Sequence, residues 1–179
     1  MPCNLVSVNQ GACPEVDGGI FEAFAVAYSD ITGVTVGTGN QITAITLEVG
    51  AEWAHYVFDR DNTGSYNQNS DRQGKRHNFT QVGFMKFAGL TAAKLEAAND
   101  LPDCCETVWI YFINNQFLGL VQGLQIVGGT VTTAKKPAVP DVNILTDTDD
   151  NEDRIEITIN STAKKSSPHT TLTRDDLIV

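Results

Sequence analysis

A run of twenty residues, 59–78, contains no aliphatic side chain (DRDNTGSYNQNSDRQGKRHN). It lies between two apolar segments that are predicted strands, AEWAHYVF and FTQVGFMKF. A segment this polar is not expected to contribute to a hydrophobic core, and connections longer than about 12–15 residues are usually functional or disordered. We therefore expect residues 59–78 to form an arm that leaves the body of the protein, either as a long β-hairpin or as a loop.

The rest of the chain is predicted to be mainly β. TVWIYFI (107–113) is apolar on both faces, as a central strand covered on two sides must be. FLGLVQGLQIV (117–127) follows as a second long strand, with bulges or close backbone approaches expected at Gly119 and Gly123. Strict alternation over residues 154–159 predicts a strand with one wet face.

One segment is predicted to be helical, with Thr91 as N-cap of the sequence AAKLEAAN. The Pro-flanked acidic stretch before residue 154 is interpreted as a connection. Residues 161–179 are expected to be a polar tail, although Leu172, Leu177 and Ile178 suggest a final docking strand. The predicted fold is a single domain, 1–179, a β-sandwich or half-barrel with one flanking α-helix and a long protruding hairpin or loop.

The chain carries 22 acidic and 12 basic residues, a formal net charge of −10 at pH 7. This balance argues against a protein that grips nucleic-acid phosphates, because such proteins present lysine and arginine. Residues 59–78 are an exception, with four basic and three acidic side chains, so a mildly basic arm can dock onto an acidic copy of the same chain. On charge alone, a solvated loop whose charges keep it soluble is the preferred interpretation. No apolar run is long enough to cross a bilayer and no secretion signal is found, which predicts a protein kept in a cytoplasm.

No motif for catalysis or cofactor binding is complete, so the chain is predicted not to be an enzyme and to carry no cofactor. A weak calcium pattern is formed by Asp147, Asp149, Asn151 and Asp153. Glu152 replaces the glycine of a calcium loop and Thr158 replaces its bidentate glutamate. A solvated acidic loop is therefore the preferred interpretation, and no metal is expected.

The order of elements resembles the tail tube proteins of tailed bacteriophages, in the version associated with Bacteroidetes phages. The resemblance depends on a Cys-containing start that runs into Gly18-Gly19-Ile20, then the polar arm, the helix LTAAKLEAAND, the strand VWIYFI and FLGLVQGLQIVGG after Asn114-Asn115. The acidic DTDDNED insertion and the tail after Ser161 depart from the pattern, which leaves a related tail ring, hub or completion protein as an alternative.

This resemblance implies a structural virion protein made in the host cytoplasm. About six copies would close into a ring by joining strands edge to edge, with DNA passing without specific binding through an acidic lumen. The arm would reach the next ring, and its expected contact residues are Arg60, Tyr66, Arg72, Lys75 and Arg76, with Tyr66 as a packing anchor at the tip. Other tail or portal-adaptor proteins are the remaining expected partners, and no membrane is.

A different class of function is a capsid decoration or adhesin module, a β-sandwich that binds a capsid lattice or a glycan. Exposed tryptophan and tyrosine on a concave face would favour it. Trp53 and Trp109 lie in apolar strand contexts, so core packing is expected for both.

Overall fold

The computed structural model describes residues 20–58, 63–73, 76–103, 106–113, 119–134, 136–146 and 153–178. The chain is mainly β, as predicted. Its strands are β1 (Ile20–Ala27), β2 (Ile31–Val36), β3 (Gln41–Leu47), β4 (Ala54–Val57), β5 (Thr63–Gln73), β6 (Arg76–Ala88), β7 (Thr107–Ile113), β8 (Gly119–Gln122), β9 (Leu124–Val127), β10 (Thr130–Thr133), β11 (Lys136–Leu145), β12 (Arg154–Ala163) and β13 (His169–Thr170). Helices α1 (Ala92–Asp100) and α2 (Arg174–Leu177) and 3-10 turns at Tyr28–Asp30 and Leu101–Asp103 complete the list.

The strands form two layers. Sheet A has the order β4-β1-β7-β8-β13-β3-β2, and sheet B has the order β11-β12-β6-β5. A single bridge, Ala138 opposite Thr107, joins the two sheets. Strands β9 and β10 form a small hairpin of their own. This arrangement is consistent with the predicted β-sandwich with a flanking helix.

Strand β7 lies between two hydrophobic cores. Trp109 and Tyr111 face sheet B and helix α1, where they pack with residues such as Met85. Val108 and Ile110 point to the opposite face of sheet A, in a second core with the β9–β10 hairpin and the C-terminal residues. Six of its seven residues are buried, which explains why its sequence is apolar on both faces.

A buried polar network holds the two sheets in register. The Tyr111 hydroxyl donates to Oε1 of Gln122 (2.7 Å), and both residues belong to sheet A. Nε2 of Gln122 donates across the interface to the Ile159 carbonyl oxygen (3.0 Å) and to Ser161 Oγ (3.0 Å). Ser161 Oγ in turn donates to Oε1 of Gln81 (2.9 Å). Buried polar groups that are paired in this way specify one relative position of the layers.

The predicted helix is confirmed. Thr91 has an extended backbone, and its side chain accepts a hydrogen bond from the Lys94 amide (3.3 Å), as an N-cap should. The apolar side of α1 is narrow, and Ala97 and Ala98 are the small residues that let it lie close to the core. Within the part of the chain that is described, no helix is long and apolar enough to span a bilayer.

Three segments differ in part from the sequence-based expectations. The acidic stretch before residue 154 contains strand β11, in which Pro137 and Pro140 are accommodated. The predicted long strand 117–127 is interrupted at Gly123, whose φ of 96° ends β8 and starts β9, while the close backbone approaches expected at Gly119 and Gly123 are confirmed. The C-terminal residues are not a free tail: they continue β12 to Ala163 and then dock on the body, as Leu172 and Leu177 suggested, in the form of β13 and α2.

Candidate assembly surface

The polar segment forms a regular β-hairpin from β5 and β6. Eleven cross-strand pairs run without a bulge from Thr63 opposite Lys86 to Gln73 opposite Arg76. Strand β12 pairs with β6 only from Phe79 to Ala88. The last three pairs of the hairpin therefore extend beyond β12, and we call residues 71–78 the hairpin tip.

Most of the segment is consequently part of the protein's own sheet, and the protruding arm is shorter than predicted. The side of β5 that faces the body is anchored at three alternate positions. Gly64 lies against the Phe58 ring, where an added Cβ would approach the ring carbons to 3.0 Å. Tyr66 packs on Tyr111, and Gln68 Oε1 accepts a hydrogen bond from the Ser167 amide (2.8 Å).

Tyr66 does not occupy the position predicted for it. It lies in the body of sheet B opposite Gly83, where its ring stacks on Tyr111 with centroids 5.0 Å apart. Its hydroxyl is hydrogen-bonded to Ser167 Oγ. Burial raises the pKa of Tyr66 to about 12, and the Ser167 hydrogen bond opposes this rise. Tyr66 is thus an anchor, but within its own subunit and away from the tip, because its ring completes the first core.

The aromatic stack requires a glycine beneath it. An added Cβ on Gly83 would lie 2.1 Å from the Tyr111 hydroxyl oxygen and 2.8 Å from its Cζ. Tyr111 is fully buried and bonded to Gln122, so it has little freedom to move aside. A glycine inside an alternating strand is a recognised signal of such a close approach. Gly83 in FTQVGFMKF is such a signal in the sequence.

Of the basic residues expected to contact another copy, two lie on the hairpin tip. Arg72 is exposed and stands opposite His77, and Arg76 is the first residue of β6. Arg60 and Lys75 lie outside the described residues. Residues 72 and 76 thus lie at the hairpin tip, whereas Tyr66 lies in the part of the hairpin that packs on the body.

Sheet B has a free edge on each side among the described residues. Strand β5 pairs with β6 alone over its full length. At the opposite end, β11 pairs with β12 and meets β7 only at Ala138, so no described strand pairs with its other side from Val139 to Leu145. The 3-10 turn Leu101–Asp103 lies beside β11. Unpaired strand edges are templates for another strand.

The outer face of sheet B, which points away from sheet A, is largely neutral. Alternate positions on β5 carry Ser65, Asn67 and Asn69, and those on β12 carry Thr158 and Asn160. A smaller apolar patch is formed by Val82, Phe84 and Val139, the last of which is 43% exposed. Charged positions include both signs, Lys86 and Arg154 against Asp141 and Glu156. Arg154 Nε lies 2.8 Å from Glu156 Oε1 on the same strand.

Potential metal ligands do not cluster in the part of the chain that the structure describes. No group of three or more His, Cys, Asp or Glu side chains converges there. Of the weak calcium pattern, Asp153 is described and is exposed, whereas Asp147, Asp149 and Asn151 lie outside the described residues. A cavity lined by Tyr56, Lys94 and Leu101 has a volume of about 10 Å³, which is no larger than a water molecule needs.

One cluster around a buried glutamate was not predicted. Glu22 on β1 is 2% exposed and lies 2.9 Å from His55 Nε2 and 3.4 Å from Arg174 Nε. The His55 ring also stacks on Phe24 at 4.4 Å. These residues are far apart in the sequence, so no local pattern could indicate their convergence. The cluster joins β1, β4 and the C-terminal helix α2 in one place.

Comparisons with known proteins do not identify a family for this chain. No family model, no curated protein and no solved structure matches the chain.

Proposed function

We propose that the chain is a structural virion protein that assembles into a ring or tube of a phage tail, with strand β5 of one copy pairing with β11 of the next. The observation that carries this proposal is the edge of β5 over residues 63–70, which contains no proline, charged side chain or bulge, although part of the strand lies near β1. Natural proteins usually protect exposed edges with such features, because an unprotected edge recruits another strand. The edge of β5 is therefore suited to pairing with a second chain.

Strand β11 is the favoured acceptor because it borders the opposite side of the same sheet. Its lysine, its two prolines and its register shift lie within residues 136–140, so residues 141–145 are the stretch proposed to pair. Head-to-tail pairing of β5 with β11 extends sheet B from copy to copy in one direction. If the rotation between copies closes, this heterologous contact forms a ring and removes both edges. A ring of about six copies remains the number implied by the resemblance to tail tube proteins.

In such a ring the inner face of sheet B is occupied by its contacts with sheet A, and we propose that its outer face lines the channel. This face is mixed in charge and rich in Ser, Thr and Asn, which replaces the acidic lumen expected from the net charge. A neutral polar surface presents few lysine and arginine side chains that could bind DNA phosphates. DNA passage without specific binding is compatible with this wall.

The hairpin tip is proposed to contact the next ring. Its described part extends beyond β12 and includes Arg72 and Arg76, with Lys75 between them in the sequence, whereas the whole chain is acidic. Stacked rings then form a tube within the virion tail, assembled in the host cytoplasm together with other tail or portal-adaptor proteins.

The decoration or adhesin alternative lacks its expected feature among the described residues. Trp109 is fully buried, and Trp53 is half-buried against the second core. Tyr56 and Tyr111 are likewise internal. Tyr28 and Tyr66 are half-buried against the two cores, so none of the tryptophans and tyrosines is fully exposed as a platform for a glycan.

The experiment is native mass spectrometry with negative-stain imaging over a concentration series. The wild-type chain should form rings, and tubes at higher concentration. The double variant Asn67→Lys/Asn69→Lys places two charges on exposed positions of β5 and should remain monomeric. A chain that stays monomeric at every concentration contradicts the proposal.

A matched control is Thr130→Lys/Thr132→Lys, which adds the same two charges at exposed alternate positions of β10. Strand β10 belongs to the small hairpin and takes no part in the proposed contact. The control should form rings as the wild type does. Equal loss of rings in both double variants would show that added charge, and not the β5 edge, determines the result.

A further inference from the structure

The C-terminal segment, residues 164–178, fills a gap in sheet A. Strands β3 and β8 do not pair with each other, and β13 lies between them, parallel to β3 and antiparallel to β8. The Val121 amide donates to the Pro168 carbonyl oxygen (2.9 Å), and the Thr171 amide donates to the Ile42 carbonyl oxygen (3.1 Å). The continuity of sheet A thus depends on this segment.

The site that β13 occupies in sheet A fits the side chain of Thr170 closely. Thr170 is fully buried, and its Oγ1 donates to the Ile42 carbonyl oxygen (2.9 Å). Opposite it stands Gly119, where an added Cβ would lie 2.7 Å from Thr170 Cγ2. Beyond Thr170, Leu177 is buried in the second core and Arg174 reaches Glu22. The segment is therefore fixed on both sides of β13.

The same segment is bonded to the hairpin. Ser167 Oγ is hydrogen-bonded to the Tyr66 hydroxyl, and the Ser167 amide donates to Gln68 Oε1. Both partners lie on the inner side of β5, whose outer edge is unpaired among the described residues. Ser167 thus connects the gap in sheet A to the free edge of sheet B, across about a hundred residues of sequence.

We propose that residues 164–178 are a clasp that holds β5 in the position required for pairing with another copy. Ordering of an edge strand before binding lowers the entropy that association must overcome. The clasp itself is a property of the single chain. Its effect on pairing rests on the proposed function.

The test is amide hydrogen exchange of the full dilute chain, with β5 compared against β12 as an internal standard. Tyr66→Phe and Ser167→Ala each remove the same side-chain hydrogen bond and should speed exchange in β5 about fivefold, the factor expected for one ordinary hydrogen bond. The double variant should be no faster than either single variant, because both lose one shared contact. Additive effects, or an unchanged β5, would overturn the proposal.

A variant distant from the hairpin tests whether the clasp acts as a unit. Thr170→Val removes the hydroxyl bond to the Ile42 carbonyl oxygen and the acceptor of the Leu172 amide while it preserves the shape of the side chain, and it should also speed exchange in β5 relative to β12. The matched control Thr43→Val removes a hydroxyl bond from β3 to the Thr35 carbonyl oxygen and should leave β5 unchanged. Equal acceleration of β5 and β12 in Thr170→Val means global destabilisation and overturns the clasp.

Failure of the clasp and failure of the proposed function give different results. If exchange behaves as expected and the wild-type chain never forms rings, the clasp stands and the ring proposal falls. If rings form equally well in the wild type and in Tyr66→Phe, control of pairing by the clasp is contradicted, and the ring proposal stands.

Discussion

Single residues determine how closely the two sheets approach each other where the β5–β6 hairpin packs on β7. Gly83, Tyr66 and Tyr111 form one stack, and Tyr111 continues into the polar network through Gln122. The sequence of residues 59–78 does not indicate that Tyr66 is part of the core. A single tyrosine among nineteen other polar or small residues forms no alternating hydrophobic pattern. Only the pairing of β5 with β6 shows that its ring points into the core.

Gly83→Ala is expected to destabilise the protein by about 1–3 kcal/mol, because the new methyl group overlaps the Tyr111 hydroxyl in a packed core. Unfolding in guanidinium chloride measures the change. Gly33→Ala is the control, since its nearest neighbours would be ordinary contacts at 3.9 Å. Equal stability of the two variants would contradict the close packing described for the stack.

Alkaline pH should destabilise the fold through the buried tyrosines. Burial raises the pKa of Tyr66 to about 12 and that of Tyr111 well above its ordinary value. Unfolded tyrosines ionise near pH 10, so the stabilisation is fully present below pH 10 and is lost as the pH rises towards the folded pKa. The free energy of unfolding should fall by about 1.4 kcal/mol per pH unit for each such tyrosine.

The variant Tyr66→Phe provides the check. Its free energy of unfolding should fall less steeply than that of the wild type between pH 10 and about 12, since one titrating group is gone. Denaturant titrations at several pH values in this range measure the slope. Identical slopes would contradict the assignment of Tyr66 to the core.

At the scale of elements, strands with clear periodicity were predictable and strands defined by distant partners were not. The alternation of β12 and the double-sided apolar sequence of β7 indicated both strands correctly. Strand β11 was missed because Pro137 and Pro140 are typical of connections, yet a strand at a sheet border tolerates proline. Strand β13 is two residues long and exists only because β3 and β8 leave a gap for it.

Helix α1 depends on its N-cap. Thr91→Ala should destabilise the protein by about 1 kcal/mol, because the Lys94 amide loses its acceptor. Thr91→Ser keeps a hydroxyl at this position and should stay close to the wild type. Thermal unfolding of the three proteins measures the difference, and equal stability of the alanine and serine variants would contradict the capping role.

At the scale of the whole molecule, the sequence predicted a β-sandwich with a flanking helix but not its strand order. The connection of sheets A and B through Thr107 and Ala138 joins residues that no local pattern relates. The same limit applies to the candidate surface. The hairpin was expected, whereas the free edge of β11 and the attachment of Ser167 follow only from the topology.

Ring closure and ring stacking are predicted to use different parts of the molecule. Arg72→Glu/Lys75→Glu reverses charge in the hairpin-tip region and should shorten or abolish tubes while rings persist, because the β5 edge is unchanged. Raised salt should shorten wild-type tubes in the same way, since exposed charges are screened. Thr130→Glu/Thr132→Glu, which adds two negative charges at exposed positions of β10, is the control for the effect of net charge on tube length. Loss of rings in the tip variant would contradict this division.

The most direct test of the account compares amide exchange of the wild-type chain before and after it assembles. Peptides from β5 and β11 should become protected on assembly, because their free edges then pair, while a peptide from β2 at the far border of sheet A should not change. If the chain assembles and the exchange of β5 stays the same, assembly does not use this edge and the central claim is wrong.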